Sequence, residues 1–247
     1  MDFRATLLEQ TRAFGELIRS ADPATPVPTC GDWTLRQLFR HVGRGNRWAA
    51  QIVSERRHQP LDPRDVRDGR PPDDLDAAVD WLNQGAQLVL DAVERAGSER
   101  VWTFVGPRPA GWWTRRRVHE VAVHRMDAAL AVGAPVDLPA ELAADSLSEW
   151  IELATVDTSR APAVDRGQSI HLHATDEQLG PTGEWTIVHD DDGLWWSHSH
   201  GKGDVALRGP VNALLLATVR RTTAAEAGIE VFGDSAVWDR WLDRTPF

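Results

Sequence analysis

Hydrophobic spacing changes character near residue 157 of this chain, and that change limits the folds open to it. Up to about residue 155, apolar side chains recur every three or four positions in runs broken by proline, glycine and aspartate. Phe3, Leu7, Phe14 and Leu17-Ile18 mark the first run, over residues 2 to about 20. ADPATPVPTCGD ends it, and Asp32 or Thr34 offers a cap for the second, TLRQLFRHVGRGNRWAAQIVSE. Further helices are expected over 74–96, 114–132 and 140–155. Residues 59–73, QPLDPRDVRDGRPPD, carry four prolines and many charges, and form a long loop that is either a lid or a mobile connector.

Beyond Asp157 the period falls to two. SRAPAVDRGQ reads as a linker, and SIHLHAT, GEWTIVHDD, LWWSHSHG, DVALRG and IEVFGD read as strands. Pro210 opens an apolar helix, VNALLLATVRR, and SAVWDRWLDR forms a last one. The expected fold is α plus α+β. An antiparallel four-helix bundle over residues 1–157 precedes a small α+β domain over 167–247 with a mostly antiparallel sheet.

Composition narrows the function classes. The net charge of -10 is spread along the 247 residues and argues against nucleic acid as a partner. Lys202 is the only lysine, so positive charge is carried almost wholly by arginine, as a GC-rich genome would dictate. Cys30 is the only cysteine and excludes an intrachain disulfide. No apolar run reaches the ~20 residues that span a bilayer. MDFRATLLEQ lacks the apolar core of a signal peptide, so a cytoplasmic protein is expected.

The chemistry gathers in RRRVHEVAVHRMDAAL, residues 115–130. A helix turns ~100° per residue, so Glu120 and His124, four apart, share a face. His119 and His124 are five apart and cannot both reach one ion from an unbroken helix. The stretch therefore departs from the H-E-x-x-H zinc-protease pattern, in which the glutamate is a base. Here Glu120 would be a ligand, and His41, mid-helix beside Leu38, Phe39 and Val42, is the best third. Three protein ligands with one open position describe a catalytic zinc, and other divalent metals accept the same N/O set. On spacing alone, a metal site and an ordinary polar helix face both stay open.

CGDWTLRQLFRHVGRGNRWA and RRRVHEVAVHRMDA resemble the two N-terminal motifs of the mycothiol-dependent maleylpyruvate isomerase family, whose bundle is DinB-like. The second half, with GDVALRGPVNALLLATVRR and IEVFGD, resembles that family's small sterol-carrier-like domain. The resemblance implies a divalent metal, zinc for preference, on His41, Glu120 and His124. It also implies mycothiol, the low-molecular-weight thiol of actinobacteria, as cosubstrate. A small-molecule electrophile would then undergo cis-trans isomerisation, as for a maleylpyruvate-like oxo-acid, or S-transfer. By position, Arg220 or Arg221 corresponds to the family's substrate arginine. CGDW stands where the family more often has Cys-Pro-Gly-Trp, a change confined to a turn. The competing readings are a non-catalytic metal-containing binding protein and a hydrolase using metal-bound water. The chain is expected to be a monomer or homodimer.

Other residues have two readings each. Asp127 either orients a ligand or makes a helix salt bridge, and Arg125 either holds a carboxylate or lies on the surface. Cys30 reads as a small residue at a helix start, His119 as a packing residue, and Trp112-Trp113 as a pocket wall or core. His171/His173 and His198/His200 are i,i+2 pairs on two strands. They form exposed polar faces or, if the strands are neighbours, a second metal site of four imidazoles.

Overall fold

The structure, a computed structural model, describes residues 1–135, 137–156 and 161–245. The chain divides into two compact units, Met1–Asp137 and Leu138–Phe247.

The first unit is built on α1 (Phe3–Arg19), α2 (Leu35–Ser54), α3 (Leu75–Ala96) and α4 (Trp112–Val132). Local chemistry sets their ends. The Asp2 and Asp74 carboxylates accept from backbone N–H groups in the first turns of α1 and α3. Thr34, not Asp32, caps α2, in a capping box whose other half is the Gln37 side chain, 2.8 Å from Thr34 N. Gly133, in the left-handed conformation, closes α4. Each of these helices packs on the other three, and the interior holds Leu7, Phe14, Leu38, Val42, Leu82, Val89 and Val121. A two-residue hairpin that the sequence did not signal, β1 (Arg100–Val101) with β2 (Arg108–Pro109), leads into α4.

The proline-rich loop is anchored. Trp48 Nε1 donates to Leu61 O at 2.7 Å, Trp81 Nε1 to Asp68 O at 2.8 Å, and Arg44 Nε to Gly69 O at 3.2 Å. Leu61 and Val66 are buried beneath it. These contacts hold the loop to α2 through Trp48 and Arg44 and to α3 through Trp81.

The second unit begins with α5 (Ala140–Val156). The change of texture had placed this helix with the first four. In the structure it packs instead on the second unit, against α6 (Val211–Thr218) and the sheet. The expected boundary at Asp157, the start of the linker (Ser159, Arg160) and residue 247 lie outside the described residues. The sheet comprises β3 (Ser169–Ala174), β4 (Glu184–Asp190), β5 (Gly193–Ser197), β6 (Val205–Gly209) and β7 (Glu230–Gly233), in the order β5-β4-β3-β6-β7. Only β3 and β6 run parallel, joined by a crossover that includes β4 and β5; the other neighbours are antiparallel, as expected. One face buries Ile170, Leu172, Trp185, Ile187, Val205 and Leu207, and Trp185 Nε1 donates to Ser148 Oγ of α5 at 2.8 Å. α7 (Ser235–Arg244) completes the unit.

Helices α2 and α3 approach closely at Gly43. A Cβ there would sit 2.0 Å from the Trp81 ring. That ring cannot yield easily, since its Nε1 is bonded to Asp68 O and the Arg47 guanidinium lies 4.3 Å over its face. Gly→Ala inside a helix ordinarily gains about 1 kcal/mol. Gly43→Ala is expected instead to lose roughly 1–3 kcal/mol through overpacking, read from the midpoint of chemical denaturation.

Candidate metal centre

Helix α4 is buried on nearly every side, including at Arg116, Arg117, His119, His124 and Asp127. Polar side chains carried into an interior must find partners there or their burial is costly. The partners found on this helix and on α2 define the site.

Glu120 is at the centre. Its Oε1 lies 3.1 Å from His41 Nε2 and 3.4 Å from His124 Nε2. Arg116 bonds its other oxygen, and Arg117 Nη1 stands 4.0 Å from Oε1. Arg117 is itself held to α2 by Asn46 Oδ1 at 2.8 Å and Val42 O at 3.2 Å. Burial alone would raise the Glu120 pKa. The surrounding Arg116, His124, His41 and Arg117 outweigh it and hold the carboxyl well below its usual range. Glu120 is therefore an anion at neutral pH, as a ligand must be.

His124 is oriented from behind. Its Nδ1 is 2.8 Å from Asp127 Oδ2, and the fully buried Asp127 accepts from Thr29 Oγ1 at 2.6 Å and Cys30 Sγ at 3.5 Å. Asp127 thus positions a histidine and ties α4 to the 3-10 turn at Pro28–Cys30, so the two readings, ligand orientation and helix salt bridge, meet in one buried i,i+3 pair with His124. Burial would lower the His124 pKa, but Asp127, Cys30 and Glu120 push it up to about 10. Burial keeps His41 below its ordinary value against the pull of Glu120. The two imidazoles meet edge to face, with centroids 4.8 Å apart.

One ligand atom from each of His41, Glu120 and His124 lies within 4.8 Å of the others, and Cys30, His124 and Asp127 form a second such group. The first group faces open space, because His41 keeps 38% of its side-chain surface against 13% and 5% for Glu120 and His124. Its three residues suit a metal ion. A tetrahedral ion with bonds of ~2.1 Å keeps its ligand atoms ~3.4 Å apart, close to the 3.1 and 3.4 Å found here. His124 Nε2 is buried and makes no hydrogen bond of acceptable geometry; an ion that displaced its proton would take up the lone pair so released.

His41 and Glu120 open into a cavity of about 390 Å³. Trp33, Trp48, Phe104 and Trp113 wall it with aromatic surface, and Arg40, Arg44, Arg116 and Arg117 line it with positive charge. Sequence reasoning missed these arginines. The only available signal was that Arg40 and Arg44 flank His41 at one helical turn or less.

The remaining predicted residues sort by contact. His119 is buried edge-on to Phe3. Arg125 ties α4 to Gln10 Oε1 at 2.9 Å and to Asp137 O at 2.6 Å. Arg220 and Arg221 belong to the second unit. Helix α6 stops before them because Arg220 is left-handed (φ 61), and Arg221 N closes the turn on Leu216 O at 2.8 Å. Arg220 Nη2 reaches Thr245 Oγ1 at 3.3 Å, and Arg221 Nη1 reaches Val219 O at 2.7 Å.

Comparison with known proteins places this geometry. Residues 4–129 match the mycothiol maleylpyruvate isomerase N-terminal domain, and residues 141–240 match the MDMPI C-terminal domain. The two matches fall on either side of the division at Asp137. Two uncharacterized proteins of Mycobacterium tuberculosis are 31% identical over 138 residues, 53% of this chain. The match spans 66% of each relative, just under two thirds of its length. Two crystal structures share the fold: the mycothiol-dependent maleylpyruvate isomerase, with a TM-score of 0.54, and a histidine-to-alanine mutant of it, with 0.56. Both are 16% identical, and each alignment covers 90% of this chain and 89% of the other.

Asp127→Ala removes the group that orients His124. It is expected to weaken divalent-metal binding by roughly 10–100-fold in a chelator-competition titration.

Proposed function

The chain belongs to the mycothiol maleylpyruvate isomerase family, and on that premise we propose that it is a metal- and mycothiol-dependent isomerase centred on His41, Glu120 and His124. The observation that carries this reading is the Glu120 carboxylate set between two imidazoles at the base of an arginine-lined cavity. The first unit is read as a DinB-like four-helix bundle, in keeping with the mutual packing of α1 to α4, and the second as a sterol-carrier-like domain.

Zinc is the preferred ion for an N/N/O set with an open position. A divalent metal held by His41, Glu120 and His124 would stabilise the thiolate form of mycothiol, the nucleophile that cis-trans isomerisation of a conjugated oxo-acid calls for. The chain's own residues do the rest. Arg116 and Arg117 compensate the charge of Glu120 and keep it ionised. Asp127 fixes the ring of His124. The aromatic walls reduce the access of water, which strengthens each electrostatic contact inside. Arg40 and Arg44 stand where the carboxylates of an oxo-acid would be drawn in, since guanidinium pairs with carboxylate through two parallel hydrogen bonds. Arg220 and Arg221 are proposed as the second unit's contribution to substrate binding.

His41→Ala is expected to lose metal and, with it, thiol-dependent isomerisation of a maleylpyruvate-like oxo-acid, followed by absorbance. Full metal content in that protein would remove His41 from the ligand set. A stable thioether product from the wild-type protein would identify S-transfer in place of isomerisation.

Replacing Arg40 or Arg44 by alanine is expected to raise KM by on the order of 10-fold with a smaller effect on kcat, the pattern of a lost charge-assisted contact present throughout the reaction. Steady-state kinetics on each variant checks it.

A further inference from the structure

The second unit carries another group of metal-ligating side chains, far along the chain from the first. His171, His173, Glu184 and His200 each bring a ligand atom within 4.8 Å of the others. The carboxylate is the hub. Glu184 Oε2 is 2.7 Å from His200 Nδ1 and 3.0 Å from His171 Nε2, and Oε1 is 3.7 Å from His173 Nδ1. The three ring centroids are 5.4, 6.1 and 6.2 Å apart, with rings near perpendicular, and each ring brings one nitrogen to the same carboxylate.

Sheet register explains the meeting. His171 and His173 are two apart on β3 and share a face. Glu184 is the cross-strand partner of His173 on β4, so its side chain rises on that same face. This is the face opposite Trp185, hence away from the contact with α5. His200 arrives from the segment after β5, which folds back over the strands. Ser199 O accepts from Thr186 Oγ1 at 2.8 Å. At Gly203 any Cβ would lie 2.8 Å from His171 N and 2.5 Å from Val205 O. Glycine there lets the segment lie directly on β3, which is why His171, on the outer face of the sheet, is only 4% exposed.

The four-imidazole alternative required the two histidine pairs to lie on neighbouring strands, and the second pair lies beyond the end of β5. Strands β3 and β5 are not neighbours, because β4 lies between them. His198 turns aside: its Nδ1 is 2.8 Å from Glu184 O, and its ring packs against Trp185 and Trp196. The intervening strand supplies a carboxylate in its place.

We propose that His171, His173, Glu184 and His200 form a second divalent-metal site, with zinc as the ion that best suits three imidazoles and one carboxylate. Ligand atoms around a tetrahedral zinc sit ~3.4 Å apart, and the three carboxylate-to-imidazole distances bracket that value. Four protein ligands leave no open position, so the site is structural: it pins the segment around His200 to β3 and β4. The site is independent of the one in the helical unit and does not rest on the proposed reaction.

The test is metal content of the full chain after loading with Zn²⁺ and dialysis against citrate, for wild type, His41→Ala and His200→Ala. His200 is exposed, so its replacement leaves the fold intact; Glu184→Gln serves as a second variant. The expected result is that His200→Ala and Glu184→Gln each retain one equivalent of zinc fewer than wild type, while His41→Ala keeps the second-unit ion. Added Zn²⁺ should also raise the thermal midpoint of His41→Ala but not that of His41→Ala/His200→Ala. Metal content unchanged by both second-unit variants overturns the proposal, as does a His41→Ala protein that binds none. If the first site is the one that fails, wild type and His41→Ala hold one equivalent each and His200→Ala holds none, so the two outcomes are told apart.

Discussion

The first unit is organised around one buried carboxylate. Glu120 lies in the interior of a helical unit, where an unpaired anion would be very costly. It is tolerated because α2 and α4 bring imidazoles and guanidinium groups to it from several directions. Every element near the site serves that arrangement. Arg117 braces against Asn46 and Val42, and Asp127 braces His124 against the Pro28–Cys30 turn. The close approach at Gly43 sets how near α3 comes to α2. A site with this much support is held in shape before anything binds, which reduces the ordering that a metal or substrate must bring about.

The cavity above that carboxylate combines two kinds of surface. Stacked and edge-on aromatic rings from Trp48, Phe104 and Trp113, with Trp102 packed against them, make a stiff wall, since flat side chains with few rotatable bonds lose little freedom on packing. Arginines on the α2 side give the cavity a positive field within a chain whose net charge is -10. Local sign can therefore differ from net charge, and it is the local field that a small molecule at the cavity meets.

Much of this was legible in the sequence because it depends on local periodicity. The helix from 74 to 96, the Thr34 cap and each strand of the second unit follow from spacing and capping chemistry that operate over a few residues. The Glu120/His124 pair was legible for the same reason, since i and i+4 always share a helical face. The pairing of His41 with them was narrowed by its apolar neighbours and by the family resemblance. Where the reading failed, long-range packing had decided the matter. Helix α5 has the same helical pattern as the first four, yet packs with the sheet unit. The arginines at 40 and 44 carry no pattern that separates a cavity wall from a solvated face.

The sequence by itself determined the two textures, the helical and strand segments, and the chemistry available on each face. Tertiary structure alone decided which faces meet. It put β4 between β3 and β5, so that Glu184 of β4 meets His171, His173 and His200 where the sequence had offered only pairs of histidines. It made Asp127 a buried anchor and not a surface charge. The physical reason is common to both cases. Side-chain direction along a helix or strand is a property of one segment, whereas burial and partner choice arise only when segments distant in the chain exclude water together.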